Sequence, residues 1–314
     1  MTRRWIAPEY AGIDALQLIE TETPAPGAEE VTIRVRAAGV NPSDAKTLAG
    51  GWNADPDLLP LTPGQEVAGV ITAVGAQART AAGEQLAVGD EVIAFKITGG
   101  FADEVTVAAR EVFPRPSNIE PAVAANLLHV GVVAAELLHL SGAGEGDTLL
   151  VHGASGSVGV LVVQLARLRG IRVIGTSSEA SGQKVRSFGA EAVVYGDGLA
   201  ERVRGLAPEG VDAAVDAAGT DEALEVSLEL VERPDRVATL APGKAAREAG
   251  VQISAGAAPA SIAFREPQRA VILDLAARGQ LTLPVAHTFP LAEAPDALRL
   301  VAAGHPGGKV ALLP

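Results

Sequence analysis

Residues 148–152 form an apolar, strand-like stretch that hands over to a helical pattern through Gly153, Ala154, Ser155, Gly156, Ser157, Val158 and Gly159. Few folds accept that junction. Glycine is needed where the backbone turns left-handed or lets another group come close, and the first N–H groups of the new helix are left without a partner. Such a turn suits an anion, and a pyrophosphate in particular. Beyond it, Val158, Leu161, Val162, Leu165 and Leu168 recur on one helical stripe. Gly170 stops the helix, and residues 171–176 read as the next parallel strand, which completes a βαβ unit. Against the dinucleotide fingerprint G-x-G-x-x-G, Ala154 stands at the first glycine, while Gly156 and Gly159 fit the other two. Gly153 through Gly159 are therefore the predicted phosphate contacts, with Ser155, Ser157 and Val158 acting through backbone N–H. A packing role for the glycines is the plainer alternative.

The end of the second strand bears on which dinucleotide fits. An NAD-selective site carries Asp or Glu about 20 residues past the glycines, for the ribose 2′-hydroxyl. Thr176, Ser177 and Ser178 stand there instead, with Glu179 next and Lys184 the nearest cation downstream. Small hydroxyls leave room for a 2′-phosphate, and Lys184 can pair with it. The expected cofactor is NADP(H). Asp216, Ala217, Ala218 and Gly219 close a later strand, at the carboxyl edge where open α/β sheets bind ligands. Ala217 and Ala218 are small enough for ribose and nicotinamide to approach.

The rest of the chain divides by pattern. Runs at 31–36, 67–74, 88–95 and 101–107 lie between Gly/Pro turns and predict a small β-rich domain. A helix is predicted over 121–140. Strands follow near 148–152, 171–176, 192–195, 211–217, 236–240 and 251–255, alternating with helices. That order predicts a doubly wound parallel sheet and an α/β fold. A helix at 265–278 is followed by strand-like pieces around Leu283 and Val310, with a helix at 292–303, and those last strands resemble the first domain more than the second. The predicted domains are 1–120, 121–262 and a return to the first at 263–314.

Composition serves to exclude. A net charge of −13 argues against a nucleic-acid partner. The absence of cysteine removes disulfides, thiolate nucleophiles and thiolate metal sites. The opening residues lack the apolar run of a signal peptide, and no 18-residue stretch is wholly apolar. The expectation is a cytoplasmic protein with no membrane partner.

Several motifs occur in a fixed order: residues 39–46 from Gly39 to Lys46, 63–70 from Pro63 to Val70, 88–92, the glycine turn, 186–190 and the closing Gly307, Gly308, Lys309 and Val310. Together they resemble the medium-chain dehydrogenase/reductase superfamily, and within it the zinc-free quinone oxidoreductase branch. The resemblance covers essentially the whole chain. It implies a GroES-like catalytic domain, discontinuous in sequence, with a Rossmann domain inserted. It implies hydride transfer from NADPH to a quinone or an α,β-unsaturated carbonyl, and a homodimer paired through edge strands, here residues 251–257. Asn41 matches a family position near nicotinamide and substrate, although an Asn-Pro pair is also a common turn. Lys309 falls among the implied cofactor contacts.

The departures are specific. Asp44 occupies the region of the first zinc ligand, and Gln65 stands where a histidine ligand would be. The five histidines, His129, His139, His152, His287 and His305, have no metal-like spacing, so no metal is expected. The family segment Gly-Leu-Thr-Ala reads Gly131, Val132, Val133, Ala134, so Val133 lacks the hydroxyl beside the nicotinamide. Tyr195 falls one position early for a tyrosine after the third Rossmann strand. Lys46 could polarise a substrate carbonyl or be a solvated surface lysine. Trp52 could line an apolar pocket. Asp44 reads as a buried hydrogen-bonding residue, Gln65 and Glu66 as structural remnants, His152 as packing, and Asp212 and Asp216 as ordinary strand-end carboxylates.

The implied activity is a metal-free NADPH-dependent reductase. The cofactor carries the hard chemistry, and backbone N–H, Asn41, Lys46 or water meets the charge on the substrate oxygen. An enoyl-thioester reductase of the same superfamily and a non-catalytic NADPH-binding sensor are the alternatives. A short-chain dehydrogenase needs Tyr-x-x-x-Lys, but Asp14 lies four past Tyr10 and Leu199 four past Tyr195.

Overall fold

The computed structural model describes residues 1–51, 54–304 and 306–314. The chain divides into two compact units, Met1–His129 with Pro284–Pro314, and Val130–Leu283. The first begins with an antiparallel ribbon, β1 (Thr2–Ile6) and β2 (Gln17–Thr21). Then come β3 (Glu30–Val40), α1 (Pro42–Leu48), β4 (Glu66–Val74), β5 (Glu91–Phe95), β6 (Glu104–Ala108) and β7 (Val112–Pro114). β3 shows why a strand forms. Val31, Thr32, Ile33 and Val35 are buried while Arg34 and Arg36 are exposed, so from Ile33 to Arg36 the strand alternates as a half-buried strand does. Past Arg36 the small residues Ala37, Ala38 and Gly39 are all buried, because neighbours close in on both sides.

Helix α2 (Pro121–Leu140) crosses the division between the units. By length and composition it could cross a bilayer, although Asn126, His129 and Glu136 interrupt its apolar run and 72% of its most apolar stretch is buried.

The second unit contains β8 (Thr148–His152), α3 (Ser157–Leu168), β9 (Arg172–Ser177), α4 (Gly182–Ser187), β10 (Glu191–Val194) and α5 (Leu199–Leu206). It continues with β11 (Ala213–Asp216), α6 (Asp221–Leu230), β12 (Val237–Thr239), α7 (Lys244–Glu248), β13 (Gln252–Ile253) and α8 (Pro259–Ala277). Its strands are parallel, in the order β10-β9-β8-β11-β12-β13. This is the doubly wound Rossmann order, and its direction reverses between β8 and β11. Those central strands are apolar on both faces, with Leu149, Leu150, Val151, Ala213, Ala214 and Val215 all fully buried.

The chain then returns to the first unit as β14 (Val285–Pro290), α9 (Ala294–Ala302) and β15 (Lys309–Leu313). Its sheet runs β14-β15-β3-β4-β5-β7, with β6 also on β3. β15 lies beside the small-residue end of β3, pairing Val310 with Val40 and Ala311 with Gly39.

Some details differ from the sequence reading. The return starts at Pro284, not at 263, because α8 packs within the second unit: Arg265 pairs with Glu136, and Ile272 fills the space beside Gly131. α8 begins at Pro259, which fits the first turn of a helix. Leu168, placed on the buried stripe of α3, is 45% exposed, while Val160 and Val163 off that stripe are fully buried. α3 is covered nearly all round, so a single stripe underestimates its buried face.

Candidate functional site

In the second unit the site begins where β8 ends. Gly153 has φ +68, and a Cβ there would stand 3.1 Å from the Ala218 nitrogen. The glycine turn and the Ala217–Ala218 backbone therefore lie against each other at the reversal point of the sheet. Gly159 is required by packing, since a Cβ would meet the Gly153 carbonyl at 2.2 Å. Gly156 differs. A Cβ there would touch only the Gly153 oxygen, at 3.3 Å, so the missing side chain leaves the mouth of the turn open. Ala154 replaces the first glycine because Gly175, on the adjacent strand, has no Cβ to collide with it; one would stand 2.6 Å from the Ala154 methyl.

The amides behave as an anion cradle requires. Gly156 caps α3, and the first N–H to close back is that of Val160, on the Gly156 carbonyl at 2.9 Å. Ser157, Val158 and Gly159 form the first turn, whose N–H groups have no partner within the helix. An open mouth lined by such amides fits a pyrophosphate.

The next strand end braces this turn. The buried Thr176 hydroxyl accepts from Gly153 N–H at 3.2 Å, and its carbonyl accepts from Ala154 N–H at 3.0 Å. Ser177 donates to the Ser178 carbonyl, and Ser178 to the Ser181 hydroxyl. Lys184 Nζ donates to the Ser155 carbonyl at 3.0 Å, which sets a cation beside the turn; partial burial holds its pKa below the usual lysine range. Tyr195 is 49% exposed and bonded through its backbone to the Ser177 carbonyl. Val133 is half-buried on α2, Ala217 half-buried and Ala218 exposed.

Asp216 does more than end a strand. It is buried; Oδ1 accepts from Ala218 and Gly219 N–H at 2.9 and 2.8 Å, and Oδ2 accepts from the Thr239 hydroxyl at 2.8 Å. It thereby fixes the backbone opposite the glycine turn. Beside it in the sheet is buried His152, whose pKa is lowered to about 4 by burial against the opposing pull of Asp216. Its Nε2 has no hydrogen-bond partner, which suits a neutral ring.

The first unit contains a separate polar cluster. Asn41 follows β3 and precedes α1, and it is 1% exposed. Its Nδ2 donates to Glu66 Oε1 at 2.9 Å, and its Oδ1 accepts from Lys309 Nζ. Its backbone N–H donates to Asp44 Oδ2 at 2.8 Å. Burial pushes the Asp44 carboxyl up to about 7, against the Asn41 hydrogen bond and the Lys309 charge. Burial also raises Glu66 and lowers Lys309, while each draws the other back towards its charged form. Lys309 was expected at the cofactor. Its ammonium is buried and faces Asn41, Val40 and Glu66. Lys46 is exposed on the last turn of α1. Gln65 donates to the Ser43 hydroxyl at 3.3 Å.

Glu66 and Asp216 are the residues that sequence reasoning undervalued. The available signal for Glu66 was a motif carboxylate retained where the neighbouring histidine is lost. Trp52 and His305 lie outside the described residues. Among the described residues, no group of three or more His, Asp or Glu side chains is placed to hold a metal.

Known proteins share this plan. Residues 27–117 match the alcohol dehydrogenase GroES-like domain, and residues 188–312 the zinc-binding dehydrogenase domain. Quinone oxidoreductase of Rattus norvegicus is 34% identical over 180 residues, 56% of this chain and 53% of that protein. The match therefore spans about half the length of that relative. The chloroplastic NADPH-dependent alkenal/one oxidoreductase of Arabidopsis thaliana is 34% identical over 241 residues, 72% of this chain and 60% of the relative. A mycobacterial protein solved in complex with NADPH is 28% identical, with a TM-score of 0.84 over 100% of both chains. With a GroES-like unit split by a Rossmann sheet and both halves matched in order, the chain belongs to the medium-chain dehydrogenase/reductase superfamily.

Proposed function

We propose that the protein is a zinc-independent, NADPH-dependent reductase acting on a quinone or an α,β-unsaturated carbonyl. The observation that carries this reading is the β9 end. Hydroxyls and a lysine stand where an NAD-selective site has a carboxylate, beside a turn with open amides. The relatives add weight, since one is a quinone oxidoreductase and another an NADPH-dependent alkenal/one oxidoreductase.

When bound, NADPH supplies the hydride. The chain binds and orients. Ser155, Ser157 and Val158 offer backbone N–H groups to the pyrophosphate; Gly153, Ala154, Gly156 and Gly159 give the turn its shape. Thr176 braces that turn, while Ser177, Ser178 and Lys184 receive the 2′-phosphate. Ala217, Ala218, Val133 and Tyr195 line the ribose and nicotinamide. Asn41 donates to the oxygen on which charge grows, with exposed Lys46 a second donor, and solvent provides the proton. No ligand set for zinc stands among the described residues, and the chain lacks cysteine. We further propose a cytoplasmic homodimer paired through β13, which is the last strand of its sheet.

The test mixes protein with NADPH or NADH and a panel of quinones, enones and enoyl thioesters, following loss of reduced-nicotinamide absorbance. Turnover of quinones or enones with NADPH is the expected result. Turnover of enoyl thioesters alone would replace the acceptor, and tight NADPH binding without any turnover would favour the sensor.

A further inference from the structure

The Asn41 carboxamide is held from both ends by charged groups. Nδ2 donates to Glu66 Oε1 at 2.9 Å and Oδ1 accepts from Lys309 Nζ at 2.5 Å. Lys309 Nζ also lies 3.6 Å from Glu66 Oε1 and 3.4 Å from the Val40 carbonyl. Exposure is 1% for Asn41, 0% for Glu66 and 5% for Lys309, so water does not compete with these contacts. Glu66 is itself fixed, because Oε2 accepts from His129 N–H at 3.2 Å. The three residues come from neighbouring strands: Asn41 just past β3, Glu66 opening β4, Lys309 opening β15. Gly39 keeps this corner open, since a Cβ there would stand 2.1 Å from the Ala125 carbonyl oxygen and 2.8 Å from Glu66 Oε1.

A carboxamide turned over by half a rotation keeps its shape but exchanges donor and acceptor. Here that flip would set the NH2 against an ammonium and the C=O against a carboxylate. Charge-assisted bonds at both ends therefore permit one orientation only. The carboxamide has two N–H donors and two acceptor sites, and the clamp uses one of each. Among the described residues the second N–H takes no partner, and its direction is fixed. A donor aimed in advance is what charge building on a substrate oxygen needs. Stability alone gives little reason for this arrangement, because a buried ion pair is often no better than apolar residues of similar volume.

We propose that Glu66 and Lys309 are positioning residues that lock the Asn41 carboxamide with its second N–H presented to the substrate oxygen. The proposal rests on the reductase reading above. Neither residue touches the reacting atoms; both act through Asn41.

The experiment compares wild type with Lys309→Met, Asn41→Ala, the charge-neutral pair Glu66→Gln/Lys309→Met, and Asn41→Ala/Lys309→Met. Lys309→Met and the neutral pair should lower kcat about tenfold or more. KM and the NADPH Kd, the latter measured by calorimetry, should change by less than about threefold. On the Asn41→Ala background, Lys309→Met should cost nothing further, since its action passes through the missing amide. A second readout needs no turnover: the Asn41 side-chain NH2 resonances of the cofactor-free protein. They should be widely separated in wild type and move together in Lys309→Met and in the neutral pair. The neutral pair guards against misfolding, because it removes both buried charges at once. Equal losses with and without Asn41, or unchanged kcat and resonances in the folded neutral pair, would overturn the proposal. If wild type reduces no acceptor, the reductase reading falls, and the resonances alone decide whether the amide is held.

Discussion

Asp44 and His152 are both buried titratable groups, yet they bend stability with pH in opposite directions. Asp44 is raised to about 7, chiefly by burial, so between about pH 4 and 7 the folded protein holds a proton that the unfolded chain has released. Its stabilising share is complete below that window and lost as pH rises through it. His152 is lowered to about 4, chiefly by burial, so its share is present above about 6.5 and lost as pH falls towards 4. Denaturant titrations at several pH values should show the stability of wild type minus Asp44→Asn declining from pH 4 to 7. Wild type minus His152→Gln should rise over pH 4 to 6.5, each unit being worth at most about 1.4 kcal/mol. Flat differences would refute the assignments. Gly156→Ala tests the cradle. Its methyl would meet only the Gly153 oxygen, at 3.3 Å, so the melting temperature should move by only a few degrees. The NADPH Kd should rise about tenfold or more, because the methyl fills the mouth of the turn. Gly156 and Gly159 were legible in the sequence because a phosphate turn imposes local spacing. The partners of Asn41 were not, since they lie 25 and 268 residues away.

At the scale of elements, β8, its turn and α3 were readable because strand, glycines and apolar stripe are consecutive. β9 and α4 act together: Thr176 braces the turn and Lys184 leans across to the Ser155 carbonyl. Lys184→Ala should therefore raise the NADPH Kd about tenfold while changing NADH binding by less than about threefold, read by fluorescence titration. Equal losses for both nucleotides would assign Lys184 to the turn rather than to the 2′-phosphate. Helix α1 was hidden because Asn41-Pro42 reads as a turn, whereas the Asp44 carboxylate takes the Asn41 N–H and a short helix starts there. The β1–β2 ribbon was hidden because β2 is mostly exposed and shows no alternation of buried and exposed positions.

For the whole molecule, β13 ends its sheet with two residues, and its outer backbone groups suit pairing with a second copy. Analytical ultracentrifugation should give about twice 31.9 kDa, and Ile253→Pro, which removes an N–H from that strand, should shift the mass towards one chain. A single-chain mass for wild type would reject the dimer. The strand–helix alternation of the second unit, its parallel sheet and the return of the chain to its first unit were determined by the sequence. Hydrophobic period, glycine spacing and short connections act over a few residues and leave a local imprint. The boundary at Pro284, the faces buried on α3, the Asp216 brace and the Asn41–Glu66–Lys309 clamp were decided only by tertiary structure. Each depends on which strands become neighbours, and buried charges take their meaning from partners that the chain brings in from far along its length.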